Sequence, residues 1–137
     1  MICKACGKPI DEHVAGSETD ACVAEAGMGW IKKGFEGCFI KVGGKLSHVG
    51  LGYYNIEDIW MNNSLDWRPS ERIADAWKVV EKFPSLGYYF DIGTDLMLWI
   101  VTLEKMTVNA NRGKKIMASA TEASLAICLA ALRAVSE

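Results

Sequence analysis

The sequence predicts an α+β fold: an antiparallel sheet of about three to four strands packed with three helices. Three observations lead there. Strand-like segments over residues 88–120 follow one another with only short turns between them, which makes an antiparallel meander rather than crossover units. Helical periodicity gathers before and after that meander instead of alternating with it. The chain has 137 residues, half of them hydrophobic and 23% charged, a composition that suits one compact core.

Each element has its own signal. Residues 1–16 are polar, lack either periodicity, and read as an arm or knuckle set before a body at 17–137. In "SETDACVAEAGMGW", Ser17 is the expected N-cap of a first helix. Glu18 and Asp20 complement its positive end, and Gly27 with Gly29 stops it. Phe35 to Val42 reads as a strand with Gly37 as a bulge, ended by Gly43–Gly44. Residues 46–65 show no clean period and read as a long irregular excursion. The clearest helix is "RPSERIADAWKVVEKF". Ser70 is its expected cap, and Ile73, Ala76, Trp77, Val80 and Phe83 recur at helical spacing before Pro84, which places Trp77 in the core. Two strands then flank a turn at Gly93–Asp95. The second is apolar on both faces from Leu96 to Val101, so both faces are expected to be covered and Trp99 to be buried. Lys114 to Ala120 makes a third strand. Thr121 is the expected cap of a last helix whose Leu125, Cys128, Ala131, Leu132 and Val135 form a broad apolar stripe.

Three of these segments, "ETDACVAEAGMGW", "PSERIADAWKVVEKF" and "ASATEASLAICLAALRAV", together resemble the phage ABA sandwich domain, a small family encoded by phages and prophages. The resemblance runs over roughly residues 17–136 and leaves the N-terminal arm outside. It implies an α-β-α sandwich and a phage origin. It carries no catalytic motif. Two departures stand out: Cys22 occupies a position where the family has a large aliphatic residue, and the middle segment is longer than usual.

Charge and composition exclude several classes. A net charge of −2 supplies no field for non-specific binding to nucleic acid. No run approaches the ~20 apolar residues of a membrane span. Lys4, Lys8 and Asp11 break the early apolar stretch, so there is no signal-peptide pattern, and the expected location is the cytoplasm of the infected host. Five cysteines there stay reduced, and an odd number argues against a disulfide framework.

The candidate chemistry lies in two places. Cys3 and Cys6 have the C-x-x-C spacing of half a zinc site, with Gly7 suited to the tight knuckle behind them. Zinc takes four ligands, and the others would come from His13, Cys22, Cys38 or His48, by a loop folding back or from a neighbouring subunit. His13 is near enough in sequence to join Cys3 and Cys6. Cys22 and Cys128 fall on apolar helix faces and read as small core residues. A thioredoxin-like redox pair would sit at a helix start after a strand, which residue 3 does not.

The second place is "DWRPSER", where Trp67, Arg68, Ser70 and Arg72 surround a helix N-terminus that favours an anion. Arg112 and Lys115 on a hairpin tip, with Tyr88 and Tyr89, add charge and flat faces. Stacking surfaces beside guanidinium groups suit a purine and its phosphates. Ordinary core packing for the aromatics and ordinary solvation for the cations is the plain alternative. Neither His lies in a nucleophile context, and the pairs Glu57–Asp58 and Asp91/Asp95 lack a metal motif, so no enzyme activity is expected. Two functions follow as expectations. One is a homo-oligomeric, non-catalytic sponge for a nucleotide-derived host defence signal, by analogy with small phage proteins of other folds. The other is a zinc-knuckle protein that binds a host protein or nucleic acid.

Overall fold

A computed structural model describes residues 1–33, 39–42, 45–48, 52–54, 60–63, 67–107 and 113–136. Phe35, Gly37, Cys38, Gly43, Gly44, Asp66 and Arg112, all used in the sequence reading, lie outside the described residues. The helices are α1 (Ser17–Cys22), which continues without a break as a π-helix over Val23–Gly27, α2 (Ile73–Val80) and α3 (Ala123–Ser136). The strands are β1 (Ile31–Lys33), β2 (Phe39–Val42), β3 (Lys45–His48), β4 (Gly52–Tyr54), β5 (Trp60–Asn63), β6 (Tyr88–Asp95), β7 (Leu98–Lys105) and β8 (Lys115–Ala120).

Three helices and a three-stranded antiparallel sheet, β6-β7-β8, confirm the predicted fold class. The middle of the chain differs from expectation. The excursion at 46–65 contains short strands: β4 pairs with β1 and β5 in a second small sheet, and β3 pairs with β2. Strands this short carry too few residues to show a period of two.

Helix α3 sits at the centre. Every residue from Ala126 to Leu132 is buried, which is wider than the single stripe its periodicity predicted. Its first turn closes on Glu122, whose carbonyl accepts the Ala126 N–H at 3.1 Å, one residue after the expected cap Thr121. One side of α3 lies on β7 and β8, and other sides meet α2 and the helical run from α1. A helix apolar all round needs neighbours all round. Phe90 of β6 aligns with Leu103 and Ile116, the buried face of the sheet, and it also meets Phe83 and Trp77 at ring separations of 5.8 and 6.0 Å. Thus α2 and α3 share one face of the sheet. Tyr89, Asp91 and Met117 are exposed on the other.

The other two expected helix caps also move. The N-cap position of α1 is Gly16, with Ser17 inside the helix, and that of α2 is Arg72, which makes no side-chain cap bond. Ser70 is instead engaged with α1, as described below. The hairpin turn is Leu96–Met97, two residues later than predicted, and Leu96 adopts a left-handed φ of 55°. The tip is open: Leu96 is 99% and Met97 87% exposed. The expectation that both faces here are covered is therefore corrected, because the helical layer ends before the sheet does. Trp99 is also exposed, and Trp77, expected in the core, is 50% exposed. Among the described residues no helix is long and apolar enough to cross a membrane.

Candidate metal centre

The arm is built around a knuckle. The Cys3 N–H donates to the Lys8 carbonyl at 2.8 Å, the Gly7 N–H donates to the Cys3 carbonyl at 2.9 Å, and Gly7 takes a left-handed φ of 77°. Such a turn leaves main-chain N–H groups facing the sulfurs, and the Lys8 N–H bonds the Cys6 thiol. An Ile2–Pro9 bridge closes the loop, and the 3-10 turn Ile10–Glu12 then swings His13 back over it.

His13 is oriented by the main chain. Its Nδ1 lies 3.2 Å from the carbonyls of both Pro9 and Ile10, which can only accept, so Nδ1 carries the proton. Its Nε2 faces Cys6 Sγ, 3.3 Å away, and is the ring nitrogen left to a metal ion. A backbone carbonyl on the far nitrogen is the usual outer support of a metal-bound imidazole.

The fourth member comes from the body. Cys22, the last residue of α1, joins Cys3, Cys6 and His13, and the four ligand atoms all lie within 4.8 Å of one another. A tetrahedral zinc site with these donors has edges of about 3.5–3.8 Å, so the cradle needs to contract only slightly. Three thiols and one imidazole, with Cys3, His13 and Cys22 buried and Cys6 exposed, make a donor set that fits zinc. Burial, followed by the neighbouring Cys6 and Cys3, pushes the Cys22 thiol well up. For Cys6 partial desolvation acts upward. The Lys8 N–H and the neighbours Cys22, Cys3 and His13 act downward and win, bringing it to about 7. One thiol is thus poised to lose its proton, and a bound cation would draw off the others.

Cys22 keeps its expected place in the core, 4% exposed within the apolar cluster, and among the described residues it is also the one of the candidate further ligands that meets Cys3, Cys6 and His13. The signal was in the sequence: a cysteine stood where the family resemblance has a large aliphatic residue. Cys128, the other cysteine read as core, is where it was expected, fully buried in α3 with burial holding its thiol well up.

The arm and the body share a single core. Cys3 and Ile10, each 1% exposed, belong to the same apolar cluster as Val23, Trp67 and the residues of α3. Arg133 of α3 bonds Asp11, the Lys4 N–H donates to Ser136 Oγ at 3.1 Å, and Lys8 pairs with Glu18 at 2.5 Å.

The second candidate place is arranged differently. Trp67 is 1% exposed, its ring 4.6 Å from that of Trp30, and its Nε1–H donates to the Asp20 carbonyl at 3.0 Å. The Ser70 N–H donates to Asp20 Oδ1 at 2.8 Å, and Ser70 Oγ accepts the Gly16 N–H at 3.0 Å. Asp75 accepts the Arg68 N–H at 3.0 Å. The segment is a strap fastened across α1, and its indole and hydroxyl face inward. Tyr88 is buried, while Arg68, Arg72, Tyr89 and Lys115 are exposed. Tyr89 and Lys115 sit on β6 and β8, with Glu104 of β7 between them in register. Trp67, Ser70 and Tyr88 therefore offer no open face to a ligand, a correction to the expected stacking site.

Fold and site together define a class: an α+β sandwich body clasped by an N-terminal three-cysteine, one-histidine centre. A family model, the phage ABA sandwich domain, matches residues 21–132, and the chain belongs to that family. Cys22 falls inside the matched span, whereas Cys3, Cys6 and His13 precede it. Comparison with curated proteins and with solved structures gave no match.

Proposed function

We propose that this chain is a non-catalytic, phage-encoded interaction protein whose N-terminal centre binds one zinc ion and locks the arm onto the sandwich body. The observation that carries this reading is the convergence of Cys3, Cys6, His13 and Cys22 within 4.8 Å. When bound, zinc supplies four metal–ligand bonds and no open coordination position, which is structural rather than catalytic chemistry. The residues themselves hold the arm: the knuckle fixes two sulfurs, Pro9 and Ile10 orient the imidazole, and α1 presents Cys22 from the core. The fixed arm gives a host protein a rigid surface. A net charge of −2 favours a protein partner over nucleic acid. Native mass spectrometry with elemental analysis of the purified chain tests it. One zinc per chain, removed by chelator with loss of thermal stability, is the expected result, and zinc-free protein of unchanged stability would overturn it.

The sponge reading stands second. Arg68 and Arg72 are both exposed one turn apart, the Arg72 N–H donating to the Arg68 carbonyl at 2.8 Å beside the start of α2. It predicts that a cyclic or linear purine nucleotide raises the melting temperature and is recovered intact on denaturation. Loss of that rise in Arg72→Ala would support it, and no rise with any nucleotide would end it.

A further inference from the structure

The β6-β7-β8 sheet has two edges, and they are treated differently. On β8, Arg133 of α3 donates to the Met117 carbonyl, and Lys115 stands exposed at the start of the strand. Lysines and covering side chains are how proteins keep a free edge from pairing. On β6, among the described residues, no side chain from another element is seen bonding the edge, and the strand's own charges are Asp91 and Asp95. Its eight residues, "YYFDIGTD", hold an unbroken register with β7 and include neither Lys nor Pro.

The open groups on that edge can be assigned. The turn Leu96–Met97 closes on the pair Asp95–Leu98. A two-residue hairpin closes on a hydrogen-bonded pair, and such pairs alternate along the ladder. Tyr89, Asp91, Gly93 and Asp95 therefore bond to β7. The N–H and C=O groups of Phe90, Ile92 and Thr94 point outward, and among the described residues no strand pairs with them.

We infer that β6 is the interface with a second copy of this chain, pairing antiparallel with the second copy's β6 about a two-fold axis at Ile92. Charge selects the register. An axis at Asp91 would set that carboxylate against itself, and an axis at Gly93 would set Asp91 against Asp95. Like charges directly opposite are destabilising. An axis at Phe90 or Thr94 would pair fewer residues. The axis at Ile92 sets Asp91 opposite Gly93, Tyr89 opposite Asp95 and Phe90 opposite Thr94, with no like pair.

The same register accounts for the exposed apolar groups around this edge. Leu96 comes opposite Tyr88 of the second copy, and Met97 comes opposite its Gly87, so the bare tip is covered. Ile73 and Trp77 lie four residues apart on α2, both half exposed, with Trp77 against Phe90. The pairing brings these two faces of α2 towards each other over the axis. The product is one continuous antiparallel sheet with the helices of both copies on the same side.

Sedimentation equilibrium of the full chain at about 10–100 μM tests this, with Ile92→Pro and Thr94→Pro, each of which deletes one outward N–H. The intact chain is expected at twice its monomer mass. Each variant should weaken the dimer at least about 100-fold, while circular dichroism shows the fold retained. Thr94 is exposed, so that variant keeps the test open should Ile92→Pro fail to fold. Hydrogen exchange reads the register: the Phe90, Ile92 and Thr94 amides should slow as concentration rises. A monomeric intact chain, a folded Pro variant that stays dimeric, or fast exchange at these amides in the dimer would each overturn the inference.

Discussion

The arm at residues 1–16 and the strap at residues 67–72 make an instructive pair. Both are short, irregular segments lying against α1, and both drew attention for chemically capable side chains. In the arm, the four candidate ligand atoms face one another. In the strap, the indole of Trp67 and the hydroxyl of Ser70 face the core and α1. The difference is one of constraint. A C-x-x-C knuckle fixes where two sulfurs point, because its geometry is local and tied to the backbone. An aromatic beside two arginines fixes nothing about direction, since a tryptophan is equally suited to a core or a ligand face. A local motif therefore says more about a site than a local composition does.

The largest expected effect breaks the arm. Cys22→Ser should reduce bound zinc from about one per chain to a small fraction and lower the melting temperature by roughly 10 °C or more, as several kcal/mol of metal binding are lost. Cys128→Ser is the matched control. It buries a hydroxyl at a cost of about 1–3 kcal/mol but should leave zinc content unchanged. Equal zinc loss in both variants would mean that metal content follows global stability and not the cluster. Removing residues 1–16 should abolish cooperative melting, since Ile10 and Cys3 leave the core with them. The arm was legible in the sequence as a knuckle but not as a core element, because one buried Ile among polar residues has no period to reveal it.

Acid provides a second test of the arm. Zinc binds thiolates and neutral imidazole, so its contribution to stability is present at higher pH and is lost as pH falls and protons compete. Cys6, held at about 7 before any metal binds, surrenders its proton cheaply, and the buried Cys22, held high, is the costly member. A zinc-loaded sample should lose both metal and melting temperature on going from pH 8 to about pH 5. A chelated sample should show a smaller change over that range. Parallel loss in the two samples would disconnect acid sensitivity from the metal.

The strap predicts a smaller but still large effect. Trp67→Ala should cost about 3–5 kcal/mol, because it removes a fully buried indole packed on Trp30 together with its hydrogen bond to the Asp20 carbonyl. No nucleotide need be present for that loss to appear. A cost below about 1 kcal/mol would return Trp67 to the surface and restore the stacking site.

Legibility along the chain follows length and locality. The helices were readable because each spreads its apolar residues over two or more turns, and their type survived although α2 proved to be only Ile73–Val80. Caps were not readable, because Ser70 is as good an acceptor for α1 as for its own helix. Strand β2, Phe39–Val42, lies inside the strand read over Phe35 to Val42, whereas β1, β3, β4 and β5 fell below the length at which a two-residue period is visible. The hairpin turn was misplaced because Gly93–Thr94–Asp95 has turn chemistry whereas the true turn, Leu96–Met97, puts a leucine at positive φ. Of the metal site, the two knuckle cysteines and His13 were legible from spacing. Cys22 was one of several candidates for the fourth position, and only the packing of α1 against the arm selects it.

The smallest effect sharpens the contrast between two tryptophans that the sequence had the wrong way round. Trp77 falls on the helical spacing of α2 with Ile73 and Val80, which argued for the core. The helix is short, however, and α3 already fills the centre, so α2 lies at the margin of the sheet, beside the open strand β6. Half of the indole remains exposed, and its principal ring contact is the edge-on meeting with Phe90 at 6.0 Å. Replacing it with alanine forfeits that contact and part of the buried area, about 1–2 kcal/mol, and recovers roughly 0.5 kcal/mol of helix propensity. Trp77→Ala should therefore cost about 1 kcal/mol in urea at a concentration where the chain is monomeric, with an unchanged m-value. The two tryptophan variants should thus differ by at least about 2 kcal/mol. A cost of 3 kcal/mol or more at Trp77 in the monomer would mean that α2 is seated deeper on β6 than its exposure indicates, and the open edge would close with it.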